Sequence, residues 1–178
     1  MPTIEVFVVV KSILLTCAAC VVSALAVPAG AQGVALHPPA ALVAAAGELR
    51  PIGTLGDLPA NIRTGVFTLP GGEKAGGWVL AEPGGRWNPT DTIVDPSLPS
   101  RRMIVALCNA SLCALSYERG GIAHVYYVAG FARTGSAWKL EWLASGNHSI
   151  VGASALAAFL RAPSSSGYRD DPNPGRDC

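Results

Sequence analysis

Ser116, His124 and Ser145 are the residues best equipped to act on another molecule. A hydroxyl beside an imidazole is the start of nucleophilic catalysis, and equally a polar surface for a ligand. They meet in only one strand register. A three-residue loop at 119–121 sets Ser116 opposite His124, and a two-residue turn at Thr134 and Gly135 sets His124 opposite Ser145, giving a row flanked by Tyr126 and Glu141. A serine in mid-strand lacks the sharp turn that exposes a hydrolytic nucleophile, and no GxSxG occurs. The row therefore reads first as a polar cross-strand ladder on a half-exposed sheet, next as a contact for a ligand, with a small hydrolase as the alternative.

A second group of polar residues lies upstream, where prolines and glycines break the chain between Glu82 and Arg102. It holds Trp87, Asn88, Asp91, Asp95, Arg101 and Arg102. Aspartates in such a stretch initiate turns, and the spacing of Asp91 and Asp95 does not match a calcium-binding EF-hand loop. Trp87 in such a loop is expected to fold back onto the sheet, and is the candidate here if any residue stacks on a ligand. The run PGGEKAGG at 70–77 is not a phosphate loop, because its lysine is not followed by Ser or Thr at the start of a helix. His37 and His148 fall in predicted loops far along the chain from His124, so the histidines predict neither a metal site nor a cofactor.

The element that must position these groups is the stretch 103–144. Apolar, β-branched and aromatic runs at 103–108, 112–118, 122–133 and 136–144 are separated by Asn-Ala-Ser, Arg-Gly-Gly and Thr-Gly, which is how antiparallel hairpins are written. In the last hairpin Phe131 is expected opposite Trp138, Ala129 opposite Leu140 and Tyr127 opposite Trp142, so that all the large aromatics share one face and Lys139 and Glu141 point to water. In the middle hairpin the expected pairs are Leu115 with Val125, Tyr117 with Ala123 and Cys113 with Tyr127; a slip of one residue would turn every side chain over. In the first, a two-residue turn at Ala110 and Ser111 puts Cys108 across from Cys113, within reach of a structural disulfide.

Flanking elements follow from local signals. Two prolines after His37 and a run of helix formers ending at Gly47 allow a short helix with Leu42, Ala45, Ala46 and Leu49 as its stripe. Residues 65–69 and 77–82 predict a further hairpin. Ser149 can cap a helix over 150–161 whose stripe of Ala153, Leu156, Phe159 and Leu160 lies across the aromatic face, on Tyr127, Phe131, Trp138 and Trp142. The composition of 163–178, poor in apolar residues and rich in Pro, Ser and Asp, predicts a disordered tail.

Length and charge bound the rest. The 178 residues suffice for one ordinary domain, and 13 basic against 12 acidic residues leave no stripe that would recruit nucleic acid. The apolar run 12–27 after Lys11, followed by small residues at Ala29 and Ala31, reads as a signal peptide cut after Ala31; uncleaved, the same segment would anchor the chain in the inner membrane. Export accords with a disulfide between Cys108 and Cys113, and leaves Cys178 as an odd thiol.

The segment Tyr117-Glu-Arg-Gly-Gly-Ile-Ala-His124 resembles a turn found, after a cysteine-bearing strand, in small exported proteobacterial proteins of unassigned function. The similarity covers 84–145 and implies a bacterial periplasmic setting without implying an activity. The expectation is thus one exported α+β domain over 34–162, an antiparallel β-meander of four to six strands with a C-terminal helix packed on one face. Its expected work is non-enzymatic: binding an envelope protein or a small molecule through Ser116, His124, Tyr126, Ser145 and Trp87, in the periplasm or secreted, with a membrane as partner only if the N-terminal segment is retained.

Overall fold

The computed structural model describes residues 36–172, except 73–74, 76–77 and 164–166. The expected signal peptide or anchor at 1–31, and Cys178, lie outside the described residues. In chain order the elements are α1 (Ala40–Ala45), β1 (Arg50–Ile52), a 3-10 turn (Leu55–Asp57), α2 (Ala60–Arg63), β2 (Leu80–Ala81), β3 (Arg101–Cys108), β4 (Leu112–Arg119), β5 (Val125–Thr134), β6 (Ala137–Gly146), α3 (Ala153–Arg161) and β7 (Tyr168–Asp170). The class is α+β, built on one sheet of seven strands rather than four to six, in the order β1-β3-β4-β5-β6-β7, with β2 running parallel to the start of β3. No helix among the described residues is long and apolar enough to cross a membrane.

The four central strands are the expected meander, and its first turn is as expected. Cys108 faces Cys113, their sulfurs at bonding distance across Cα atoms 4.1 Å apart. Asn109 makes the turn by accepting from the backbone N–H groups of Ser111 at 2.9 Å and Leu112 at 2.7 Å through its side-chain oxygen.

The other two registers differ from expectation. In the β4–β5 hairpin the turn spans 120–124, so Tyr117 pairs with Tyr127, Leu115 with Ala129 and Cys113 with Phe131. This is a shift of four positions, which preserves every side chain's face while changing every partner. In the β5–β6 hairpin the turn is Gly135 and Ser136; Phe131 pairs with Leu140, and the ladder then slips so that Gly130 pairs with Trp142. The extra residue at the slip is Glu141, and a bulge of one residue exchanges the faces beyond it. Trp138 and Trp142 therefore point to opposite sides of the sheet, which corrects the single aromatic face. Lys139 and Glu141, each about one-third exposed, pair at 3.1 Å.

Both sides of the sheet are covered. On one, Met103, Leu115, Tyr117, Tyr127, Phe131, Trp138 and Leu140 pack under Leu58, Ile62, Phe67, Leu69, Trp78 and Leu80 from the irregular segment 52–80. Aromatic edges knit this layer: Phe67 meets Trp78 at 5.2 Å and Phe131 at 5.0 Å, and Trp78 meets Tyr117 at 5.0 Å. Among the described residues, 65–69 do not pair with 78–82 as the expected hairpin requires; Thr68 and β2 bond to the main sheet instead. Thr68 joins the β6 edge, giving its N–H to Trp138 O and accepting from Leu140 N, while β2 joins β3.

On the other side, Val105, Leu107, Ala114, Val128, Trp142 and Ala144 lie under α1 and α3. Gly130 leaves room for Leu42 of α1, whose Cδ1 occupies the space a Cβ would fill. The helix α3 buries the predicted Leu156, Phe159 and Leu160, and of the four aromatics expected beneath it only Trp142 is there. It begins after Gly152, which has φ 88°, so Ser149 does not cap it. Tyr168–Asp170 form an edge strand on β6, so the ordered body runs past residue 162 into the stretch expected to be a disordered tail.

Candidate functional site

The sheet and the 82–100 lobe together build one cluster where β3 begins and β4 ends. On the α3 side of the sheet Arg102, Glu118, Tyr126 and Gly146 form a row across four strands. The lobe folds over that end, organised by Asn88, which is 5% exposed. Asn88 gives its side-chain NH₂ to Asp95 O at 2.7 Å and Leu98 O at 3.0 Å, and its backbone N–H to Pro99 O at 2.9 Å. Asp95 accepts from the Ser97 hydroxyl at 2.6 Å and backbone N–H at 3.0 Å, and these donors hold its carboxyl below the usual range. Gly120 seats the lobe on the turn: its N–H bonds Ser100 O, and a Cβ there would lie 2.5 Å from Pro89 C. Thr90 bridges Gly121 beside it.

Within this frame Glu118 is 4% exposed and fully engaged. Its Oε1 accepts from Arg102 Nε and Nη2, each at 2.6 Å, and its Oε2 accepts from His124 Nε2 at 2.7 Å. A carboxylate taken out of water is costly unless hydrogen-bond donors, at least one of them charged like Arg102, surround it. The arrangement fixes the rings above: the Arg102 guanidinium lies 5.2 Å from the centroid of Trp87, Trp87 meets His124 edge-on at 5.4 Å, and His124 stacks on Tyr126 at 4.8 Å. Trp87 and Tyr126 are half-buried and His124 is exposed. A cleft of about 280 Å³ opens beside Arg102 and Glu118, lined also by Pro83, Gly84, Ser149 and Val151. The cluster presents aromatic faces and a guanidinium around a carboxylate that Arg102 and His124 engage.

Of the sequence-predicted residues, Trp87, His124 and Tyr126 come together, and the two serines do not join them. Ser116 pairs with Val128, is fully buried beneath the 147–152 crossover, and donates its hydroxyl to Ile150 O at 3.2 Å. Ser145 pairs with Tyr127 and Arg169 and lines a separate cleft of about 400 Å³ with Arg169, Asp170, Asp171 and Pro172. The proposed Ser116, His124 and Ser145 row is therefore not formed. It assumed a three-residue turn, and the five-residue turn carries His124 out of the strand.

Arg102 and Glu118 were missed as a site, although Glu118 stands inside the Tyr-Glu-Arg-Gly-Gly segment. A second network was missed as well: Asp170 accepts from Trp142 Nε1 at 2.7 Å and meets His37 Nδ1 at 3.1 Å, tying the chain ahead of α1 to the edge strand. Near it the Tyr168 hydroxyl donates to His148 O at 2.7 Å; burial, with Tyr126 nearby, pushes this phenol well above its ordinary range. Among the described residues no group of three His, Cys, Asp or Glu side chains is placed to hold a metal ion. Comparison of the chain with protein-family models, with curated proteins and with solved structures found no match.

Proposed function

We propose that this chain is an exported, non-enzymatic binding module of the bacterial envelope. Its contact surface is the shelf of Trp87, His124 and Tyr126, backed by Arg102 and Glu118. The observation that carries the reading is the gathering of these rings from a loop lobe, a turn and a strand end around one buried carboxylate. Trp, Tyr and Arg held rigidly at a surface are the side chains that dominate binding energy at interfaces. Export is supported by the apolar run 12–27 with its small-residue site, and the periplasm by the resemblance of the 117–124 turn.

The hydrolase alternative loses the contact it required. Ser116 is buried with its hydroxyl donated to Ile150 O, and its partner across the β4–β5 ladder is Val128 rather than His124. The ligand is an envelope protein or a small molecule able to stack on aromatic rings and accept from Arg102. Capture from envelope extracts by the full chain, compared with Trp87→Ala combined with His124→Ala, tests the reading. Loss of the captured component supports it, and equal capture by both overturns it.

A further inference from the structure

We infer that the same end of the molecule docks on the surface of a lipid bilayer, with Ile93, Val94 and Ile122 as the inserting side chains. The inference rests on the binding-module reading for the end of the molecule it uses. Ile93 is 66%, Val94 84% and Ile122 95% exposed, and they are half of the large hydrophobics exposed among the described residues. They belong to two loops far apart in sequence, which the bridge between Thr90 and Gly121 brings side by side: Ile122 follows Gly121 directly, and Ile93 and Val94 follow Thr90 by three and four residues. The close seat of Gly120 under Asn88 and Pro89 keeps the two loops together.

The chemistry around these tips selects lipid over a protein groove. None of the three lines the clefts beside Arg102, along α3 or at the β6–β7 edge; they project from turns, as side chains do that enter the acyl boundary. Next to them in the same two loops are a half-buried tryptophan, Trp87, which meets His124 two residues after Ile122, and the exposed Arg86, which reaches Asp95 beside Val94; these are the residue types that settle at headgroup level. Asp91 is exposed between Thr90 and Ile93, which limits insertion to the headgroup boundary, while Asp95 is turned back on Ser97 and towards Arg86. With 13 bases against 12 acids the attraction is apolar, so docking persists in high salt and does not require anionic lipid.

The test is quenching of Trp87 by phosphatidylcholine vesicles whose acyl chains are brominated, using the full chain. Trp78, Trp138 and Trp142 are 2 to 6% exposed and stay shielded, so the signal comes from Trp87, and serine variants of the three tips separate docking of the lobe from tethering through residues 12–27. The expected result is quenching that survives high salt and disappears in Trp87→Phe. The lipid concentration needed rises about fivefold for each of Ile93→Ser, Val94→Ser and Ile122→Ser, and about a hundredfold for the three together. Val66→Ser, at a valine 56% exposed elsewhere in the chain, leaves it unchanged. Absence of quenching, or a triple variant quenched like its parent, overturns the assignment. If vesicles fail while Trp87→Ala with His124→Ala still abolishes capture of an envelope protein, the binding module stands and its partner is a protein.

Discussion

Gly120→Ala should separate the lobe from the sheet and dismantle the aromatic shelf. The added Cβ would fall on Asn88 O and lie 2.5 Å from Pro89 C and 2.7 Å from Pro89 Cα. All three are backbone atoms, so no side chain can swing away. The lobe would have to retreat until Pro89 C reached ordinary contact at 3.4 Å or more. That movement stretches the bond from Gly120 N to Ser100 O, 2.9 Å, and opens the bridge between Thr90 and Gly121. Overpacking of this kind costs about 1–3 kcal/mol and each weakened hydrogen bond about 1 kcal/mol, which together give a loss of about 3 kcal/mol. Urea unfolding followed by tryptophan fluorescence measures the loss, and acrylamide quenching of native Trp87 measures the opening of the shelf. Gly53→Ala, where a Cβ meets nothing within 4 Å, is the neutral control. A Gly120→Ala protein within about 0.5 kcal/mol of the parent, with Trp87 equally shielded, would refute the account of how the lobe is held.

Phe159→Ala removes a ring lying 4.9 Å from Tyr168 and 6.3 Å from Trp142, and should lower unfolding free energy by about 3–4 kcal/mol in the same urea assay. Glu118→Gln leaves Arg102 and His124 facing an amide and should cost about 2 kcal/mol, reduced from the value of a fully buried contact because both partners are partly exposed; a nuclear magnetic resonance spectrum in which the His124 ring signals stay unshifted would count against the contact. Tyr168 ionises later in the folded than in the unfolded chain, so the unfolded state loses its proton first. The stability this phenol contributes is complete below its ordinary value of 10.0 and falls as pH rises above it. Tyr168→Phe should therefore flatten the alkaline limb of a urea-midpoint profile, at the expense of the bond to His148 O.

The resemblance of the meander to its sequence ends at register, and the physical reason is the period of two. Alternation states which face a side chain takes, but a shift of four residues keeps every face. The loop at 119–121 and the observed turn at 120–124 therefore satisfy the apolar pattern equally, and only the second sends His124 to Glu118. The bulge at Glu141 was hidden for a related reason. Trp138, Leu140 and Trp142 read as one stripe, and since both faces of the sheet are buried, nothing in the alternation marks the residue at which the chain crosses over.

What the amino-acid sequence determined by itself is local. It set the four strands and the Asn109 turn that aligns Cys108 with Cys113, through side-chain hydrogen bonds within three residues. It also set the apolar stripe of α3 and the turn made by Asp95. Only tertiary structure decided that Leu58, Ile62, Phe67, Leu69 and Trp78 cover one side of the sheet, that Ser116 is sealed beneath Ile150, and that Trp87 meets His124. Those contacts join residues that a Pro- and Gly-rich chain leaves free to go elsewhere, and they are selected by packing on both faces of a sheet, which no short window of sequence encodes.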